Sequence, residues 1–251
     1  MEKEIAIDKK GYSMRRDGLG SEWFTPYEKR IAKRMFGKSL LIGESCYWGC
    51  YIIDKNCRPF DKDRVYAFNS WLDVYELAYK DALKNGFNTL DLREIPETYG
   101  WTTLAPHLVQ GFIEQGGYRF YPSKVQIPKV LYADVDFTIK HTWLNMGTGY
   151  LPNNNPKWNY KYKPAFALID HHGIVAKYWI DEDAEPSLWT KQGKAYRYSL
   201  KCTTNDIVKG TYTLAVAIID RKKLGKPALN LAITNHKLDN GWYTLQKVEV
   251  K

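Results

Sequence analysis

No apolar run in the sequence approaches the roughly 18 residues that a membrane-spanning helix needs, so no such helix is expected among these residues. The amino terminus, Met1-Glu2-Lys3-Glu4, has no apolar stretch behind a basic start, and no secretory signal is visible. Cysteine is scarce. Cys46, Cys50 and Cys57 crowd together and Cys202 stands apart, in spacings that match neither a zinc ribbon nor a redox pair, so they read as ordinary thiols. The sequence also lacks a glycine-rich phosphate loop, a G-x-S-x-G elbow and an H-E-x-x-H zinc motif. The adjacent His171 and His172 diverge at i and i+1, which makes a poor metal pair. Neither a cofactor nor a metal is therefore expected.

Charge of one sign is nowhere concentrated. The net charge of +9 divides between the two halves without a polybasic tail, and the tightest cluster is Arg221-Lys222-Lys223 with Lys226 at a turn. Nucleic acid is accordingly not the expected partner. Hydrophobic residues at 44% and charged residues at 26% are ordinary globular values, which excludes wholesale disorder. The abundant feature is aromatic: 9 Trp, 19 Tyr and 9 Phe among 251 residues. Tyr and Trp have flat faces and polar edges, which suit both a packed core and a surface that stacks on sugar rings.

The pattern changes near residue 125. In the first half, Thr25-Pro26-Tyr27-Glu28 is a capping box with proline at the first helical position, and Gly37 is placed to stop that helix. Ser39 to Glu44 reads as a short buried strand, Asp61 to Asn85 as a long helix, and Phe87 to Glu94 as a second strand. Leu104 to Gln115 reads as a closing helix, and Gly11 to Met14 as an earlier strand emptying into Arg15-Arg16-Asp17. Strand and helix alternate, which implies parallel strands with helical crossovers.

The second half switches to period two, with Leu131, Ala133, Val135, Phe137 and Ile139 alternating against polar neighbours. About seven such strands, separated by turns such as Asp239-Asn240-Gly241, predict an antiparallel sandwich. The expected architecture is an α+β two-domain chain. Residues 1–121 would be a partial (β/α)8-barrel segment of about three βα units, and 122–251 an immunoglobulin-like β-sandwich.

In a (β/α)8 barrel the carboxyl ends of the strands face the active site. The ends expected here carry Arg15, Arg16 and Asp17, then Glu44, then Asp91, Arg93 and Glu94. Carboxylates in that arrangement suit glycoside chemistry, which needs two carboxyl groups about 5–10 Å apart. Glu44, Asp17 and Glu94 are the catalytic candidates. Arg15, Arg16, Asp91 and Arg93 are candidates for binding substrate. Trp23, Trp48 and Trp101 follow the three ends and could offer platforms to a pyranose. The same residues could instead cap helices, form structural ion pairs or fill a core.

Two sets of short motifs carry a resemblance. The first is Gly11-Tyr12-Ser13-Met14-Arg15-Arg16-Asp17-Gly18-Leu19-Gly20 with Leu40-Leu41-Ile42-Gly43-Glu44. The second comprises Trp143-Leu144-Asn145-Met146-Gly147, Ser187-Leu188-Trp189 followed by Gly193, Lys209 to Leu214, Leu229 to Ala232, and Gly241-Trp242-Tyr243. Together they resemble bacterial glycosidase-like proteins whose C-terminal sandwich is called domain of unknown function 4832. The resemblance implies a carbohydrate-active architecture, with Glu44 near the end of the seventh strand as nucleophile. It also implies export of the intact relatives to the periplasm or beyond. This chain enters at about the sixth strand and lacks the fourth, where such enzymes hold their acid/base. A nucleophile without that group loses about 10²–10⁴-fold of assistance.

The expected function is thus glycoside-hydrolase-like binding of an oligo- or polysaccharide, without activity in this chain alone. Self-association covering an open barrel edge is the expected protein contact. The alternative is a non-catalytic carbohydrate-binding or structural sandwich module. A third reading is polyanion binding through the Arg221 turn.

Overall fold

Local signals act first. Thr25 Oγ1 accepts from the Glu28 N–H at 3.3 Å while Glu28 Oε2 accepts from the Thr25 N–H at 3.0 Å, which starts helix α1 (Pro26–Met35). The computed structural model describes residues 12–46, 70–92, 95–223 and 225–251. These divide into two compact units. One holds the described residues up to Tyr118 together with Gly147–Lys157, and the other holds Arg119–Met146 and Trp158–Lys251.

In the first unit β1 (Met14–Leu19), β2 (Leu41–Ser45) and β3 (Thr89–Asp91) form a parallel sheet in that order. Helix α2 (Trp71–Lys84) begins at a second capping box, Ser70 with Asp73, and buries Trp71, Val74, Tyr75, Ala78 and Ala82. That spacing places one apolar stripe against the sheet. Residues 61–69 of the helix expected from the sequence lie outside the described residues. Gly20 permits the close approach of the β1–α1 loop to α2. Its φ is +83°, and a Cβ there would stand 2.6 Å from the Ala78 backbone nitrogen.

The expected partial (β/α)8-barrel segment is not formed. The sheet is open, and its third strand is only three residues long. Two helices then follow in succession, α3 (Ile95–Leu104) and α4 (Pro106–Gln115), and among the described residues no fourth strand joins this parallel sheet. The chain passes instead into antiparallel strands, which dominate its described residues. A barrel needs strands of matched length with a continuing stagger. The single closing helix expected over Leu104–Gln115 is also corrected. Pro96 and Gly100 disguise α3, and Pro106 begins α4 as a separate helix.

The second unit contains two sheets. β4 (Phe120–Gln126), β6 (Asp136–Asn145) and β9 (Tyr196–Thr203) are antiparallel in the order β4-β6-β9. The other sheet has the order β5-β12-β10-β7-β8, built from β5 (Val130–Leu131), β12 (Tyr243–Val250), β10 (Gly210–Asp220), β7 (Tyr162–Ile169) and β8 (Val175–Ile180). β11 (Lys226–Leu229) pairs with the end of β10, and β5 runs parallel to β12. The alternation from Leu131 to Ile139 is not one strand, because Asp134 adopts φ 60° and turns the chain.

Residues on both faces of β7 and β10 are buried. On one face Phe166 meets His141 of β6, with ring centroids 4.8 Å apart. On the other, register pairs Ala215 with Ala167 and Ala217 with Ala165, and Trp242 packs on this shelf of small residues. Alanine supplies the depth an indole needs, as expected where large and small residues face each other.

Candidate functional site

Parallel pairing brings three charged residues of the first unit to one face. Arg15 is in register with Ile42, and Glu44, two residues further along β2, is in register with Asp91. Side chains two apart share a face, so Arg15, Glu44 and Asp91 converge near the carboxyl ends of their strands. The Arg15 guanidinium pairs with Glu44 and lies 3.1 Å from Asp91 Oδ2. Glu44 is wholly buried, whereas the Arg15 and Asp91 side chains are 51% and 39% exposed. A carboxylate taken from water needs a cation beside it, and Arg15 supplies one while keeping an edge in solvent.

Arg16, one residue on, reaches the opposite face. Its Nε and Nη2 lie 2.9 Å and 3.0 Å from the two oxygens of Glu28. It also donates to the Trp23 carbonyl and pairs with Asp17. This ion pair with the residue that caps α1, with one hydrogen bond from Nη2, makes Arg16 a clamp on the helix start. The sequence placed Arg15, Arg16 and Asp17 beyond a strand; they lie within β1, so alternation separates Arg15 from Arg16. Asp17 is exposed, and Trp23 folds over Gly18 with 42% of its surface open.

Trp101 is not a platform. It belongs to α3, is 1% exposed, and its ring lies 4.5 Å from that of Tyr75 in the core. Trp48, Arg93 and Glu94 lie outside the described residues. The strand-end cluster that the structure does bring together is therefore Arg15, Glu44 and Asp91. Chemically it offers an exposed carboxylate and guanidinium to hydroxyl groups, while Glu44 is closed off from a reacting carbon.

The second unit contains a polar cluster that reading by motif missed. His141 Nε2 and Asp181 Oδ2 are 2.8 Å apart, and the Trp143 indole N–H donates to His141 Nδ1 at 2.9 Å. Asp181 Oδ1 accepts from the N–H groups of Asp183 and Ala184. The ring of Tyr198 stacks on His141, and Trp189 donates to the Tyr198 hydroxyl at 2.8 Å. Trp143 and Trp189 stack at 5.1 Å and are fully buried. The one available signal was phase: His141 stands two residues from both Ile139 and Trp143, on the same face, so it had to point inward with them. This cluster is a core that fixes the sheets rather than an open site. Among the described residues no group of three His, Cys, Asp or Glu side chains could hold a metal ion.

No protein-family model matches the chain, and no curated protein does. Solved structures give limited likenesses. The CARDB domain of a Pyrococcus furiosus protein, in complex with di-metal ions, is 13% identical with a TM-score of 0.29, over 55% of this chain and 94% of that one. The beta-glucosidase from Listeria innocua in complex with glucose is 10% identical with a TM-score of 0.31, over 53% of this chain and only 16% of the enzyme. A Niemann-Pick type C2 protein from the Japanese carpenter ant is 7% identical with a TM-score of 0.29, over 53% and 92% of the two chains. No function passes from any of them to this chain.

Proposed function

We propose that this chain is a glycoside-hydrolase-like protein that binds carbohydrate without hydrolysing it. The observation that carries this reading is the span of Arg15 from the buried Glu44 to the part-exposed Asp91. Asp91 and the open edge of Arg15 accept from and donate to vicinal sugar hydroxyls, and Glu44 holds the guanidinium in place. The charge-assisted hydrogen bonds this allows are about twice as strong as neutral ones. Glu44 cannot act as nucleophile while it is enclosed and paired, so hydrolysis is not part of the proposal. The motif resemblance to bacterial proteins with a domain of unknown function 4832 supports the choice of ligand class.

The test is retention of the chain by a panel of neutral oligosaccharides and polysaccharides, alongside release of chromophore from aryl glycosides. At least one neutral sugar should be bound, Asp91→Ala and Arg15→Ala should each weaken that binding, and no chromophore should appear. The reading is wrong if no neutral sugar is retained, or if both variants bind as the parent does. Hydrolysis that Glu44→Gln abolishes would replace it with a catalytic one.

A further inference from the structure

We propose that the second unit binds an acidic polysaccharide, a chain of uronic acids, on the surface formed by Trp158, Tyr160, Lys161 and the Arg221–Lys223 turn. The site is separate from the strand-end cluster and does not depend on it.

The segment entering β7 has three aromatic rings in five residues, Trp158, Tyr160 and Tyr162. Trp158 and Tyr162 meet edge to face with centroids 5.4 Å apart, and Lys161 Nζ lies 5.2 Å and 4.6 Å from the two rings. Between them Asn159 and Tyr160 both adopt left-handed backbone, at φ 49° and 54°. Ring-bearing residues seldom do so, and here the result is a Tyr160 that stays 39% exposed beside the strand.

The basic turn adjoins this segment. Register pairs Tyr162 with Asp220, and the Arg221 N–H donates to the Lys161 carbonyl at 3.0 Å. Lys161, Arg221, Lys222, Lys223 and Lys226 are thereby gathered around two carboxylates, Glu182 and Asp220. Asp220 is buried, accepts the Lys222 N–H at 2.9 Å and lies 3.5 Å from Lys161 Nζ. The Arg221 guanidinium holds Glu182 at 2.6 Å, so a carboxylate already fits it.

Aromatic faces beside an excess of cations match a ligand that is amphipathic and repeatedly anionic. A pyranose lays its C–H face on a ring, and a uronate adds one carboxylate to every sugar. Nucleic acid fits less well. Trp158 and Tyr162 are perpendicular and flank Lys161, so they offer no parallel platforms for successive bases. Arg221 already pairs with a carboxylate, the group that each uronate presents.

The experiment is affinity electrophoresis of the full chain through gels containing polygalacturonate, dextran sulfate, dextran or a single-stranded oligonucleotide. Polygalacturonate should retard the chain at about 0.1 M salt, lose its hold near about 1 M, and retard it more than the other three. Tyr160→Ala, and the double variant Lys222→Glu with Lys223→Glu, should each weaken that retardation by about tenfold or more. The double variant alters only exposed side chains, so folding does not confound it. Lys124→Glu with Lys201→Glu, the same charge change placed on β4 and β9, should stay within about twofold of the parent. The proposal is overturned by an absence of retardation, by equal retardation in dextran sulfate or oligonucleotide, or by equal losses in the two double variants. Neutral sugars report on the strand-end site and polygalacturonate on this one, so either reading can fail alone.

Discussion

The indole N–H of Trp143 donates to Nδ1 of His141, its neighbour two positions back on the same face of β6, at 2.9 Å. Accepting at Nδ1 leaves the proton on Nε2, where it is donated to Asp181 at 2.8 Å. One tryptophan thus selects the histidine tautomer and aims its hydrogen bond at Asp181, in the segment that follows β8. Trp143→Phe removes the donor, leaves a buried acceptor and opens space beside Trp189. It should cost about 2–4 kcal/mol, read as a lower urea midpoint with an unchanged slope.

Asp181 makes the same cluster acid-sensitive. Burial raises its pKa, but the hydrogen bond from His141 and the N–H groups of Asp183 and Ala184 outweigh that and hold it below the usual value. A carboxylate depressed by folding contributes stability that is fully present above its unfolded pKa of about 3.9 and is lost as pH falls through the folded value. Asp181→Asn should therefore be less stable than the parent by about 1–3 kcal/mol at neutral pH, with the gap narrowing below about pH 4. Urea midpoints at both pH values decide this; an equal gap at each would contradict it.

Gly20→Ala tests the close approach of the β1–α1 loop to α2. The added methyl would lie 2.6 Å from the Ala78 backbone nitrogen at a residue with φ +83°, and the Gly20 N–H holds Asp81 Oδ2 at 3.1 Å. Backbone cannot yield as a side-chain tip can, so a loss of about 2–4 kcal/mol is expected by thermal denaturation. Gly173→Ala is a useful contrast. Its φ is also positive at +81° but nothing lies within 4 Å, so strain alone should cost about 1 kcal/mol.

The thiols of Cys46 and Cys202 are free and buried, and burial pushes each up to about 12. Thiolate is the reactive form, so neither should alkylate in the folded protein at about pH 8. Iodoacetamide labelling followed by mass spectrometry should find both unmodified natively and modified in denaturant. Native labelling at either site would show that its segment opens.

Elements governed by neighbouring residues were legible. The Thr25–Glu28 capping box starts α1 where its spacing places it, because both hydrogen bonds close within one turn. Alternation also put Ile139 on the inner face of β6, where it is buried. The errors fell where a local pattern continued through a break. Leu131 to Ile139 kept period two across the turn at Asp134, and α3 was hidden by Pro96 and Gly100. The strand–helix alternation of the first half suggested a barrel, but nothing local announces that β3 stops after three residues.

The sequence alone determined the start of α1, the change from helical crossovers to period-two strands near residue 125, and the place of Glu44 and Asp91 near strand ends. Sites were decided only by tertiary structure. Shifting β1 to begin at Met14 sends Arg15 to Glu44 and Asp91, and Arg16 to Glu28, although the two arginines are chemically identical in the sequence. His141 and Asp181, forty residues apart, become partners only when β6 and the segment after β8 are packed. The physical reason is range. Capping and alternation act over a few residues, whereas pairing register and burial depend on strands that the chain order leaves distant.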